Sequence, residues 1–445
     1  MPCRTRFPPI LRPATCPDKF ARLGSDEQEE RPMIQTIDPA AAPALSDLRV
    51  LEMGQLLAGP FCGQLLADFG AEVIKIEQPG TGDPMREWGR EKPHGQSLWW
   101  PVIARNKKSI EINAREAPGQ DLIRQLVAKS DILIENFRPG TMEKWGLGYD
   151  ALCEINPRLI MIRVSGYGQT GPYSQKAGYG AIGEAMGGMR YVAGDPSHPP
   201  SRAGISIGDT LAATFACVGG LMALHARTRT GRGQVVDSAI YEAVLAVMEN
   251  LVTEYDKTGY IRERTGAILP NIAPSNVYPT KSGVYVLIAA NQDSVFRRLA
   301  AAMGRPELAS DPRYATHTER GKRQAELDAL IAAWTGGFER EDLGRLLDEA
   351  GVPRGDIYRA PEMLEDAHFR ARQTIVDVAH PLFGNLKMQN VAPRLSANPG
   401  RVVTAGPELG QHNAEIFGDL LGLSEAERAR LIEARVIGGS ARDAA

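Results

Sequence analysis

Cysteine is scarce. The five in 445 residues, Cys3, Cys16, Cys62, Cys153 and Cys217, show no C-x-x-C spacing, which excludes a disulfide framework or cysteine-based zinc site and suits a reducing cytoplasm. The seven histidines are dispersed, with none between His94 and His198, so neither a Ser-His-Asp hydrolase nor a histidine metal centre is indicated. No metal is expected. Fifty-one Lys and Arg against 54 Asp and Glu leave a formal net charge of -3, too balanced to recommend nucleic acid as a partner. No apolar run reads as long and uninterrupted enough to span a bilayer, so no membrane is expected either. The fingerprint G-x-G-x-x-G is missing from the turn after the first strand, which leaves an ordinary dinucleotide site unsupported.

What is present is an alternation of strands and helices. The first 45 residues combine Arg4, Arg6, Arg12, several prolines and an acidic patch at Asp26–Glu30. They read as a disordered extension rather than a transit peptide, and a start at Met33 stays open beside Met1. Leu48–Met53 reads as a strand, Ala58-Gly59-Pro60 as a turn, and Phe61, Leu65, Leu66 and Phe69 as a helix stopped by Gly70. Ala71–Glu77 is a second, β-branched strand. Further strands are expected at Ser109–Ile112, Asp131–Phe137, Arg158–Ser165 and Val235–Asp237, with helices at Gly119–Lys129, Thr141–Trp145, Ala181–Met186, Ile240–Val252 and, buried, Thr210–Arg227. The fold class is therefore α/β: a Rossmann-like large domain with a parallel sheet, over 46–264. The Pro- and Asn-rich Thr265–Tyr278 reads as a loop opening a smaller α+β domain, 265–358. Residues 359–445 read as a linker and a return to the large domain.

Four features could carry chemistry. Asp209, in GISIGDT ahead of the long apolar helix, reads as an N-cap, yet the same place suits a nucleophile held ionised by the helix N-terminus. Glu184 is the sole acid in GYGAIGEAMGG, either a surface carboxylate or a neighbour of glycine N–H donors for an oxyanion. The cations Lys75, Arg86, Arg105, Lys107, Lys108, Arg115, Arg138 and Lys144 read mostly as solvated, with some just after strands, where open α/β sheets bind phosphates. Arg190 and Arg202 could meet a carboxylate of a dicarboxylic acid.

The combination of A-G-P, L-A-D-x-G-A-x-V-I-K-I-E and P-x-x-G-D in Leu48–Asp83, with RNKKSIEI, DILIENFRPG, NPRLIMIRVSGYGQTG and TGRGQVVD downstream, resembles the family III CoA-transferases and the related α-methylacyl-CoA racemases. The resemblance runs from Leu48 to beyond Val391. It implies that Asp209 attacks an acyl-CoA thioester, giving an aspartyl anhydride and then an aspartyl-CoA thioester, and that CoA moves to a carboxylic acid, with short dicarboxylic acids favoured. It places CoA contacts at Leu57, Ala58, Gln78, Ile112, Asn113, Ala114, Arg115, Asn136, Phe137, Arg138, Lys144, Ala177, Gly178, Tyr179 and Gly180. Coenzyme A would be a substrate and no cofactor would stay bound. An interlocked homodimer is also implied.

Three positions depart from the formyl-CoA transferase type, which has glutamine at Leu57 and arginine at Gln78 and Lys144. Its glycine-only loop has no counterpart after Thr265. The racemase branch needs a histidine where this chain has Gly178-Tyr179-Gly180, which disfavours racemisation. A CoA-binding protein without turnover is the remaining alternative, and the intact Asp209 argues against it.

Overall fold

A computed structural model describes residues 42–439. The expected disordered extension, Met33 and two of the cysteines fall largely or wholly outside them. Six short strands, β1 (Arg49–Glu52), β2 (Glu72–Glu77), β3 (Lys107–Glu111), β4 (Ile132–Glu135), β5 (Ile160–Ser165) and β6 (Val235–Ala239), form one sheet in the order β3-β2-β1-β4-β5-β6. Every neighbouring pair is parallel. The loops that follow the strands therefore leave from one edge, and the strand order reverses between β1 and β4, the switch point where doubly wound sheets hold ligands. Both faces are covered, which is why the central strands β4 (ILIE) and β5 (IMIRVS) are nearly continuous apolar runs. Val50, Ile134, Ile160 and Ile162 meet the Ala58–Asp68 and Ile207–Thr230 helices on one face. Leu51, Ile74, Ile110, Leu133 and Met161 meet the Ala117–Val127 helix on the other.

The C-terminal segment closes the free edge at β3, where unpaired strand groups would otherwise be exposed. Asn413 Oδ1 accepts from Glu111 N–H at 2.9 Å, His412 Nδ1 from Ser109 N–H at 3.1 Å, and Ile416 and Phe417 enter the core. A second body is built on an antiparallel sheet of β7 (Ser275–Pro279), β8 (Tyr285–Ala289) and β9 (Arg354–Asp356) with its own core. Its fully buried Arg320 binds the carbonyls of Ala273, Tyr314 and Asn291 and the Asp293 carboxylate.

Several local expectations are corrected. Ala58-Gly59-Pro60 is the first turn of a helix rather than a loop, because proline is accepted there. Strand β7 occupies part of the segment expected to be loop. The single helix expected over 240–252 is two, Ile240–Ala246 and Leu251–Thr258, separated by Glu249 at φ 55°. The hairpin β10 (Ile375–His380) and β11 (Gly384–Gln389) lies where prolines hid any strand signal.

The Ile207–Thr230 helix corrects two more. By length and composition it could cross a membrane, against the expectation that no segment could. It is also only about one-third buried. Ala212, Ala213, Ala216 and Gly220 face the sheet and neighbouring helices, while Phe215, Val218, Leu221 and Met222 are exposed. Cys62 and Cys217, remote in sequence, are both buried in the core where this helix packs on Ala58–Asp68.

The carboxyl edge of the sheet is held by buried charge. Glu52 lies 3.2 Å from Lys75 Nζ and 2.7 Å from Lys107 Nζ, and Asp83 is 2.7 Å from Lys75. Two cations and two anions cancel. Burial would lower both lysines. The charges of Asp83 and Glu52 reverse this for Lys75 and push its pKa up, whereas Lys107, with Glu52 alone close by, stays lowered. Gly63 makes room, since a Cβ there would collide with the Glu52 carboxylate. Glu52→Ala leaves the buried Lys107 ammonium without a carboxylate and Lys75 with Asp83 alone, and should lose about 3–5 kcal/mol in urea unfolding. A loss below about 1 kcal/mol would show that the lysines find other partners.

Candidate active site

The loops after β1 and β4 diverge at the switch point and are tied together there. Asn136 Oδ1 accepts from Gln55 N–H at 2.7 Å, and its Nδ2 donates to Gln55 O at 2.9 Å. Gly54 and Gly59 pack against each other and against the Asn136 amide, so close that a Cβ on Gly54 would sit 3.0 Å from Gly59 Cα. Beside this knot a cleft of about 230 Å³ opens, lined by Gln78, Ile112, Ala114, Arg115 and Phe137 with Met53, Gln55, Thr141 and Trp145. The Phe137 and Trp145 rings meet edge to face at 5.2 Å.

Of the contacts expected from sequence, Gln78, Ile112, Ala114, Arg115 and Phe137 thus share one cleft. Asn113 supports it, its Oδ1 accepting from Arg115 N–H at 3.2 Å. Asn136 holds the loops and has both amide groups engaged. Leu57 packs on Met85 and Trp100, and Ala58 is buried in the core, which leaves their side chains little to offer a ligand. Arg138 and Lys144 are exposed on the loop and short helix that also carry Phe137, Thr141 and Trp145.

The eight cations separate by partner, which corrects the expectation that most are solvated. Lys75 and Lys107 bind Glu52, Arg105 binds Asp68 at 2.5 Å, Arg86 binds Glu77 at 2.8 Å, and Lys108 binds Glu72 and Glu415. Arg115, Arg138 and Lys144 have no side-chain partner among the described residues. Cations left unpaired at a sheet's carboxyl edge can bind phosphate.

Asp209 lies further along the same edge. Gly166, just after β5, nearly touches Gly178, bringing Ala177, Gly178 and Tyr179 to the end of that strand. Tyr179 is 70% exposed and precedes the Gly180–Met186 helix. That helix seats Gly183 on Ile240 and Gly187 on Val244, at the start of the helix that follows β6. Gly208 in turn abuts Gly180 O and the Glu184 side chain. Only residues without a Cβ allow these approaches. A side chain at Gly180 would collide with the Asp209 carboxylate itself.

Asp209 is not the N-cap. The Ile207–Thr230 helix begins after Ser206, and Asp209 is its third residue and makes no capping bond. The free N–H of Gly208 instead donates to Glu184 Oε1 at 3.3 Å, and Arg190 Nε donates to Glu184 Oε2 at 2.7 Å. Glu184 is only 1% exposed, so the surface reading is corrected too. The expected lowering of the Asp209 pKa is reversed. Burial first, and then the charge of Glu184, raise it to about 6 against a smaller opposing pull from Arg202. Desolvation outweighs the helix terminus. At pH 7 about nine-tenths of the carboxylate is still ionised.

A model of CoA-transferase family III matches residues 45–413. The chain belongs to that family. Succinyl-CoA–D-citramalate CoA-transferase of Chloroflexus aurantiacus is 64% identical over 393 residues, covering 88% of this chain and 98% of that protein. The succinyl-CoA–L-malate CoA-transferase alpha subunit of the same organism is 42% identical over 409 residues, covering 90% and 96%. The crystal structure of a CAIB/BAIF family protein from Brucella suis superposes with a TM-score of 0.76 at 34% identity, covering 85% of this chain and all of that one. As a family III enzyme the protein moves CoA from an acyl-CoA to a carboxylic acid. Among the described residues no group of His, Cys, Asp and Glu could hold a metal ion.

The raised Asp209 pKa has a consequence for stability. A folded state that binds the proton more tightly than the unfolded chain is penalised as pH rises from about 4 to about 6, and fully so above that. Asp209→Asn should therefore stabilise the fold by about 2–3 kcal/mol at pH 8, and by far less at pH 4. Unfolding midpoints at both pH values and fixed protein concentration check this; equal effects would contradict it.

Proposed function

We propose that the enzyme carries CoA from succinyl-CoA to a methyl-branched or hydroxylated short dicarboxylic acid, with Asp209 as the nucleophile. The observation that carries the role of Asp209 is its carboxylate, half-buried against Gly180 and without a hydrogen-bond donor among the described residues. It is ionised at neutral pH yet more basic than an ordinary aspartate, a combination that favours attack on a carbonyl. The substrate class is supported by the names of the two Chloroflexus relatives, which act on D-citramalate and L-malate.

Asp209 Oδ attacks the thioester carbonyl and CoA leaves as the thiolate, giving a mixed anhydride. The thiolate then attacks the Asp209 carbonyl, the donor acid departs as its carboxylate, and an aspartyl-CoA thioester remains. The acceptor carboxylate reverses these two steps, taking CoA and freeing Asp209. Thioester energy is conserved only while water is kept from both intermediates. The pantetheine chain must run along the carboxyl edge from the Gln78–Phe137 cleft to Gly178–Gly180, with Arg115, Arg138 and Lys144 meeting the phosphates.

Racemisation next to the thioester would need a second proton carrier. Tyr179, at the place of the racemase histidine, is turned largely to solvent. The exposed face of Phe215, Val218, Leu221 and Met222 supports the homodimer implied by the resemblance.

Incubation with succinyl-CoA and a panel of acids, followed by mass spectrometry of the CoA esters, tests the reading. Asp209→Ala and Asp209→Asn should abolish exchange and the aspartyl adduct while CoA still binds; near-normal turnover in either sinks the proposal. Arg115→Ala, Arg138→Ala and Lys144→Ala should each weaken CoA binding roughly three- to tenfold in calorimetry, less so at high salt. Three unchanged affinities would place the phosphates elsewhere.

A further inference from the structure

A succinyl group held by its thioester end carries a second carboxylate, and that charge needs a partner in a site from which water is excluded. Two guanidinium groups are near Asp209 in the chain, and the fold distinguishes them. Arg190 is committed, its Nε bound to the buried Glu184 that also receives the Gly208 N–H. Arg202 is not. Its Nη2 donates to Ser206 Oγ at 3.1 Å and its Nε to Ile205 O at 3.4 Å, both neutral acceptors. No carboxylate pairs with it among the described residues.

The tether matters because of what Ser206 is. It is the residue from which the Ile207–Thr230 helix starts, and its carbonyl accepts from both Thr210 N–H and Thr210 Oγ1. Arg202 is thereby fixed beside the turn that carries Asp209, while the rest of its fork stays open. The guanidinium is exposed, so a ligand can reach it. Ser206 lies three residues before Asp209 in the same first turn, so the tether keeps the Arg202 fork at the end of the helix where that carboxylate sits. An arginine held by neutral groups next to a nucleophile is oriented but not neutralised, which is what a planar, bidentate carboxylate needs.

We propose that Arg202 anchors the distal carboxylate of the dicarboxylic substrate, and so sets the preference for diacids over monoacids. The inference rests on the substrate class proposed above. Arg202 takes no part in bond making; it fixes the far end of the acid so that the near carboxylate meets the Asp209 carbonyl.

The test compares succinate with its monomethyl ester as CoA acceptors from a monocarboxylic acyl-CoA donor, which makes no demand on Arg202, in wild-type protein and in Arg202→Gln and Arg202→Lys. In the wild type, succinate should be much the better acceptor. Arg202→Gln should raise the KM for succinate roughly 10- to 100-fold and remove its advantage over the ester, with the affinity for free CoA unchanged. Arg202→Lys, which keeps the charge without the fork, should recover part of the preference. An unchanged KM for succinate in Arg202→Gln, or parallel losses with both acceptors in both variants, would overturn the assignment of Arg202 while leaving the substrate class standing. If the wild type transfers CoA to no dicarboxylic acid, the substrate class fails and this inference fails with it.

Discussion

Glu52, a carboxylate with no exposure, sits between two ammonium groups on adjoining strands at the point where the sheet's loops diverge. Lys75 stands opposite it in register on β2, and Lys107 reaches it from β3. Asp83, brought back by the loop after β2, completes a neutral set of four and also accepts from Leu56 N–H at 3.0 Å. Three strands and the loops of β1 and β2 are thus tied through one buried set of charges. Such a set contributes little net free energy compared with apolar packing, but it tolerates few other arrangements. The cleft beside it inherits that definition.

A different electrostatic logic operates at the start of the Ile207–Thr230 helix. Around Glu52 opposite charges cancel, whereas Asp209 and Glu184 carry the same sign in one partly desolvated space. Arg190 compensates Glu184, whereas the exposed Arg202 opposes the rise at Asp209 only in part. Burial first, and then the like charge of Glu184, raise the Asp209 pKa, and shifts with such causes cluster at functional sites. Four glycines, Gly180, Gly183, Gly187 and Gly208, allow the helices to approach closely enough to bury the two acids together.

Much of the sheet was legible beforehand, because period and composition are local. LRVLEM, AEVIKIE, DILIENF and RLIMIRVS are apolar runs of strand length bounded by turn signals, and each contains a strand of the sheet. The hairpin at Ile375–Gln389 and strand β7 carried no comparable pattern, since half of their residues face outward and prolines flank them. The cleft was partly legible: five of its lining residues were named, all directly after strands. Leu57, Ala58 and Asn136 were named as well, but their side chains serve the core or the neighbouring loop, a distinction no linear pattern contains.

Chain order and local chemistry were enough to establish an α/β enzyme of the CoA-transferase type and to single out Asp209, because hydrophobic period, turn residues and family motifs are written along the backbone. The charge state of Asp209, the partner of Glu184, and the division of the cations into paired and unpaired required the folded molecule. Electrostatic environment depends on through-space distance and on exclusion of water. Both are set by residues such as Glu52 and Lys107, or Glu184 and Gly208, that lie tens of positions apart in the chain.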